Sequence, residues 1–149
     1  MATTAKTSTR KIDELLAYYG KSHLNPTNEV IHFFAIPLIM LSIVGLMYAL
    51  HPWVAFAFMA ASMVYYARLS IVFLVAMLVW STILYWLILQ MGDKVWQTSL
   101  IIFVGAWIAQ FIGHHVEGKK PSFFEDMQYL WVGPLFVLSK MFQKIGIRW

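Results

Sequence analysis

Long runs of apolar residues dominate this chain and limit what it can fold into. Three of them, residues 30–50, 70–91 and 95–116, are about as long as an α-helix that crosses a bilayer. A fourth run, residues 53–67, is apolar apart from Ser62 but shorter, and at about 1.5 Å per residue it reaches roughly 22 Å. The four runs predict an all-α integral membrane protein with four transmembrane helices, with a re-entrant hairpin as the alternative for residues 53–67.

The composition favours a single membrane domain over a soluble one. Sixty per cent of the 149 residues are apolar and 12% are charged, whereas a soluble domain carries roughly 25% charged residues. A chain this short cannot bury so much apolar surface within itself, so lipid is expected to cover part of it. The sequence contains no cysteine, which excludes disulfides and thiolate metal sites.

The positions of Lys and Arg predict how the spans are oriented. The turn at residues 51–52 carries no Lys or Arg, and the turn at residues 92–94 carries only Lys94. The segments on the other side are basic, as the positive-inside rule predicts for cytosolic segments. Both termini are therefore expected in the cytosol, and the net charge of +4 needs no nucleic-acid partner. The basic residues on that side are Lys6, Arg10, Lys11, Lys21, Arg68, Lys119 and Lys120.

Shorter segments flank the predicted spans. Residues 1–29 are predicted to form a cytosolic or interfacial segment with an amphipathic helix lying on the membrane. The C-terminal segment, residues 121–149, has an apolar stretch of about half a span and a break at Gly133–Pro134, so it is predicted to be interfacial or re-entrant. The N-terminal helix is predicted from apolar residues at helical spacing, namely Ile12, Leu15, Leu16 and Tyr19.

A first group of polar residues surrounds the start of the first span. Asn25 and Pro26 suit the N-cap and the first position of a helix. Asn28 and His32 then share one helix face at i, i+4. The remaining polar side chains of this group are His23 and Glu29.

A second group of polar residues closes the last span. Gln110, His114 and Glu117 lie on one helix face, whereas His115 points about 100° away. An imidazole and a carboxylate one turn apart commonly present two metal ligands from one helix. Glu117 has a simpler interpretation as an ion-pair partner of Lys120. His115 is expected to support the site from outside the ligand set or to face lipid.

The predicted topology brings the two groups to the same depth on the cytosolic side, with His51 in the opposite turn. Polar residues at the edge of a membrane core are costly and usually functional. His23, His32, His114 and Glu117 fit a non-haem Fe(II) site that leaves positions open for oxygen and substrate. Zinc with a bound water would use the same ligands. The residues expected to orient the imidazoles are Asn28, Glu29 and Gln110.

Together the two groups form a pattern that resembles the Mpo-type 2-hydroxy fatty acid dioxygenases, whose founding member is a yeast protein of phytosphingosine breakdown. The first half of the pattern is His23, Asn25, Pro26, Asn28, His32 and Pro37. The second half is Gln110, Gly113 and His114, followed by Glu117 and Pro121. The resemblance covers nearly the whole chain, and the His114–His115 doublet departs from the pattern.

The resemblance implies an Fe(II)-dependent enzyme that cleaves a long-chain 2-hydroxy fatty acid between C1 and C2 with O₂. The products would be CO₂ and a fatty acid one carbon shorter, and no 2-oxoglutarate would be used. It implies His23, His32 and His114 as the catalytic histidines, with Glu117 at an acidic position of the family. Residues 113–126 resemble bacterial members, which implies a bacterial inner membrane rather than an endoplasmic reticulum.

Several roles and functions stay open at this point. Lys119 and Lys120 are expected to contact membrane lipid headgroups or to attract the substrate carboxylate. A two-iron lipid hydroxylase would resemble proteins with more histidines than the five present here. A haem protein with His32 and His114 as axial ligands is another alternative. A non-catalytic lipid-binding or scaffold protein is the alternative from a different class.

Overall fold

The computed structural model describes residues 9–120 and 122–149, and this part of the chain is all-helical, as predicted. Residues 1–8, which include Lys6, lie outside the described residues, as does Pro121 of the family pattern. A 3₁₀ turn, Gly92–Lys94, separates the fourth and fifth helices. The α-helices are α1 (Lys11–Gly20), α2 (Pro26–Leu50), α3 (Pro52–Leu69), α4 (Ile71–Met91), α5 (Val95–Glu117), α6 (Phe123–Gln128) and α7 (Val132–Ile145).

Helices α2 to α5 cover the four predicted spans, with ends that differ by a few residues at most. Their starts follow from local chemistry. The side chain of Asn25 accepts a hydrogen bond from the backbone N–H of Thr27 at 2.9 Å, as an N-cap does. Pro26 and Pro52 occupy the first turns of α2 and α3, where the missing N–H has no helical partner to lose.

Fewer stretches qualify as membrane spans than the sequence predicted. In the part of the chain that the structure describes, two stretches are long and apolar enough, Pro26–Leu50 and Ile71–Glu117. The second contains both α4 and α5 with the turn between them. Helix α3 is not among them because its 18 residues include Pro, Trp, two Tyr and Arg68, which lower its mean hydropathy. Length and composition alone thus give weak support for membrane association.

Helices α2 and α5 pack closely and run antiparallel. Gly45, near the end of α2, lies against Ser99, near the start of α5, and a Cβ on Gly45 would collide with the Ser99 hydroxyl. At the other end of the pair, Gly113 of α5 lies against Asn28 and His32 of α2. Small residues let two helix backbones approach closely, so the two glycines fix the register of this pair.

Helices α3 and α4 complete the bundle on another side of α2. Ala55 of α3 and Leu84 and Ile88 of α4 form a buried cluster with Leu41 and Val44 of α2. The end of α4 therefore lies beside the end of α2, and the chain reverses through Gly92–Lys94 before α5 returns. This alternation places the start of α2 and the end of α5 at the same end of the bundle.

Helices α1 and α7 pack against each other at that end. Ile12 of α1 is 1% exposed and lies in a cluster with Leu135 of α7, while Tyr19 packs on Phe136 with ring centroids 5.1 Å apart. The helix predicted for α1 is confirmed, and its predicted position on the membrane surface stays a prediction. Its apolar stripe is covered by protein, and this holds the segment after α1 close to the bundle.

Helix α7 also departs from the sequence interpretation in one detail. Gly133–Pro134 was expected to break the C-terminal segment, whereas the helix starts at Val132 and takes both residues into its first turn, a position where proline is tolerated. The interfacial or re-entrant placement of this segment stays a prediction.

Candidate metal centre

Three histidines from distant parts of the sequence meet at the end of the bundle where α2 starts and α5 ends. The ring centroids of His23 and His32 lie 4.3 Å apart, those of His32 and His114 5.0 Å, and those of His23 and His114 6.0 Å. All three are buried, with exposed fractions of 5%, 0% and 6%. His51 caps α3 at the opposite end of α2 and does not take part.

The backbone fixes the protonation of two of these rings. The Nδ1 atom of His23 lies 2.8 Å from the carbonyl oxygen of Tyr19, and that of His32 lies 3.0 Å from the carbonyl oxygen of Asn28. A carbonyl oxygen only accepts, so both Nδ1 atoms carry the proton and donate it. In the neutral ring each Nε2 then keeps a lone pair, and both Nε2 atoms are buried with no hydrogen-bond partner among the described residues.

This arrangement suits a metal ligand better than a structural histidine. A ligating imidazole usually donates its second N–H to a carbonyl or carboxylate, which fixes the tautomer and the ring orientation. Burial also lowers the pKa of His23 below its ordinary value. The ring is therefore neutral at pH 7, and the neutral ring is the form that binds metal.

Glu117 holds the segment that carries His23 against the end of α5. Its carboxylate accepts hydrogen bonds from the backbone N–H groups of Leu24 (2.9 Å) and Asn25 (2.8 Å) and from the side-chain amide of Asn28 (3.0 Å). The two backbone donors directly precede α2, and the amide belongs to its first turn. The ligand role of Glu117 stays a prediction, but its oxygens already have a positioning function.

Replacing Glu117 by Gln should loosen this segment. A glutamine side chain keeps one acceptor oxygen, but its NH₂ group would face N–H donors with which it cannot form a hydrogen bond. The hydrogen bonds to the charged carboxylate that are lost are worth about 1.5–3 kcal/mol each. We expect faster hydrogen exchange in residues 22–28, measured by mass spectrometry, and a lower melting temperature. Asp93→Asn, in the exposed turn at the far end, is the control and should change neither.

The same variant separates two roles for Glu117. Unchanged exchange in residues 22–28 together with loss of bound metal would contradict the positioning role and support ligation.

Asp126 of α6 is a site residue that the sequence did not reveal. Its two carboxylate oxygens lie 3.1 and 3.0 Å from Nε2 of His114, and both side chains are largely buried. In the sequence, Asp126 follows the Ser122 N-cap as an ordinary acidic residue of a first helical turn. No helical spacing links it to His114, so pattern reasoning had no signal for the contact.

The other predicted site residues divide into those near the histidines and those away from them. Asn28 and Gln110 are buried beside the centre. Glu29 instead faces Lys140 of α7, with Oε1 and Nζ 3.5 Å apart. His115 is exposed and does not join the cluster, in line with its predicted orientation.

A cavity of about 310 Å³ opens beside His23 and His114. Lys119 and Lys120 line it together with Asp126, and Tyr18 and Tyr129, which also line it, stack with ring centroids 5.5 Å apart. The cavity is large enough for a polar head group, and its lining carries both charges and hydrogen-bonding groups. His32 lies behind the lining, fully buried.

The fit of a metal to these residues is partial in the present geometry. Within residues 9–120 and 122–149, no group of three or more His, Cys, Asp or Glu side chains is already arranged to hold a metal ion. The side chains are nevertheless suitable as metal ligands. The Nε2 atoms of His23 and His32 are buried without a hydrogen-bond donor, and the carboxylate of Asp126 lies beside the ring of His114. The iron site therefore stays a prediction.

The fold and this centre define a class: an all-helical, apolar protein with a buried histidine cluster beside a polar cavity. The family described as 2-hydroxy-palmitic acid dioxygenase Mpo1-like matches the chain over residues 9–145. The chain belongs to this family, and the resemblance drawn from the sequence is confirmed. The chain has no significant match among curated proteins or among solved structures.

Proposed function

We propose that this protein is an Fe(II)-dependent dioxygenase that shortens long-chain 2-hydroxy fatty acids by one carbon. The substrate and O₂ give the shorter fatty acid, CO₂ and water. The C1–C2 bond breaks, C2 is oxidised to a carboxyl group, C1 leaves as CO₂, and four electrons pass to O₂. The family match supports the substrate and reaction class.

One observation in the structure carries the proposal. His23 and His32 each donate Nδ1–H to a backbone carbonyl and keep an unpartnered Nε2 lone pair in a buried place. A buried acceptor without a donor is costly, and a metal ion would satisfy both atoms. His23, His32 and His114 would hold the metal, with Asp126 or Glu117 as the nearby carboxylate. Bound Fe(II) would supply the activation of O₂.

The other residues bind and orient the substrate. The ammonium groups of Lys119 and Lys120 attract the substrate carboxylate into the cavity. Asp126 accepts the Nε2 proton of His114 and holds that ring in place.

The acyl chain calls for an apolar environment, which the long helices provide. We propose an integral membrane protein with the cavity at the cytosolic face and, by its sequence, a bacterial inner membrane. Lipid would then surround the exposed apolar side chains of α4 and α5, such as Val79, Trp86 and Ile101.

The haem alternative gains no support from the geometry. His32 and His114 lie edge to face with ring centroids 5.0 Å apart, which leaves no gap for a macrocycle between them.

The test is metal analysis followed by turnover. We expect near-stoichiometric iron in protein loaded anaerobically with Fe(II), and oxygen consumption with 2-hydroxypalmitate that yields pentadecanoate and CO₂ in equal amounts. Palmitate, which lacks the hydroxyl, is the control substrate and should give no CO₂. Protein that binds no iron after loading, or binds iron without consuming oxygen, would contradict the proposal and favour a lipid-binding or scaffold role.

A further inference from the structure

A second, smaller cavity adjoins the inner wall of the histidine cavity. It has a volume of about 20 Å³, enough for one small polar group, since a single water needs about 10–15 Å³. Tyr19, Asp126 and Tyr129 line both cavities and so form the wall between them. A substrate that lies in the larger cavity against this shared wall would have the group beside its carboxylate directed towards the smaller one.

Two polar side chains lining the small cavity have unused hydrogen-bonding atoms. The indole Nε1 of Trp107 and the amide Oε1 of Gln110 are buried and have no partner among the described residues. Both side chains are more than nine-tenths buried, with exposed fractions of 5% and 4%. Trp107 offers a donor and Gln110 an acceptor, while the carboxylate of Asp126 is already bonded to His114.

A hydroxyl group matches this pair because it accepts one hydrogen bond and donates another. We propose that the small cavity is the specificity site for the 2-hydroxyl group of the substrate. Trp107 donates to the hydroxyl oxygen and Gln110 accepts its hydrogen. The rest of the lining is apolar, from Ile36, Ile39, Leu130 and Gly133, and offers no competing hydrogen bond. This inference rests on the proposed function and adds how the enzyme tells a hydroxy acid from a plain fatty acid.

The geometry also explains why the discrimination would be strong. A plain fatty acid entering the site would shut water out of the small cavity and leave both buried polar atoms unpaired. Sites built to bind a hydroxyl group reject analogues that lack it far better than apolar pockets reject an extra group.

The test compares the affinities of 2-hydroxypalmitate and palmitate, measured anaerobically by calorimetry on the full-length protein in detergent. We expect the wild type to prefer the hydroxy acid. Trp107→Phe and Gln110→Leu each remove one hydrogen bond and should reduce this preference about fivefold to tenfold, with palmitate affinity retained. Trp80→Phe, at a half-buried tryptophan in α4 outside both cavities, is the matched control and should keep the wild-type ratio.

A variant that still binds palmitate is folded, so its preference between the two acids can be interpreted. One folded variant of the two is enough for the test. If both variants bind palmitate and keep the wild-type preference, the inference is wrong, and the small cavity holds only water. That result leaves the proposed function intact wherever the wild type still consumes oxygen with 2-hydroxypalmitate. A wild type that binds neither acid overturns the proposed function and the specificity site together.

Discussion

His32→Ala is expected to weaken iron binding more than 100-fold. Loss of a residue that merely supports a ligand costs about 10–100-fold in metal affinity, and His32 is the most buried of the three histidines, with its Nε2 unpartnered. The measurement is iron content by mass spectrometry after anaerobic loading and removal of loosely bound metal. Oxygen consumption with 2-hydroxypalmitate should disappear in parallel.

Two exposed histidines provide matched controls for this loss. His51 lies at the far end of α2 and His115 points away from the cluster, so His51→Ala and His115→Ala should keep wild-type iron content. His32→Gln, which keeps a polar side chain in the buried position, separates loss of the ligand from loss of the fold. Full iron content in a folded His32→Ala or His32→Gln protein would contradict a centre built on this residue.

Gly113→Ala is expected to disrupt the centre without removing any polar group. A Cβ at this position would collide with the side-chain oxygen of Asn28 and would lie 3.3 Å from the ring of His32. Forcing a methyl group into a packed site typically costs about 1–3 kcal/mol. We expect a lower melting temperature and weaker iron binding, because α5 must move away from the residue whose carbonyl orients His32.

Gly105→Ala supplies the comparison within the same helix. A Cβ there meets nothing within 4 Å, so the substitution only raises the helix propensity of this position. This should stabilise the variant by up to about 1 kcal/mol. Both substitutions are chemically identical and differ only in surroundings. Equal melting temperatures and iron contents for the two variants would show that the close approach at Gly113 has no bearing on the centre.

The sequence predicted the meeting of the histidines because helix direction alternates along a chain of antiparallel helices. Once residues 30–50 and 95–116 are read as the first and last of four helices, His32 and His114 fall at the same end. Apolar runs bounded by Pro26 and Pro52 also gave helix limits close to the observed ones. Helix limits depend on local sequence patterns, and helix direction depends on the number of turns between helices. Both can be read from the sequence alone.

What the sequence did not predict depends on contacts between elements. A stripe such as Ile12 to Tyr19 shows that one helix face is apolar, but not that α7 rather than lipid covers it. Glu117 shares a helix face with His114, yet its position in the last turn lets it reach backbone N–H groups of the segment just before α2. Asp126 approaches His114 only because the chain turns back after α5.

The link between Glu117 and the start of α2 has a consequence for how the protein is made. Its carboxylate bonds to residues 89 to 93 positions earlier in the chain, so His23 and His32 leave the ribosome long before Glu117 and His114. During synthesis at about 5–20 residues per second, the early histidines spend several seconds without their partners. The centre can therefore close only after α5 and α6 have been made, and on the proposed function iron would be captured only from that point on.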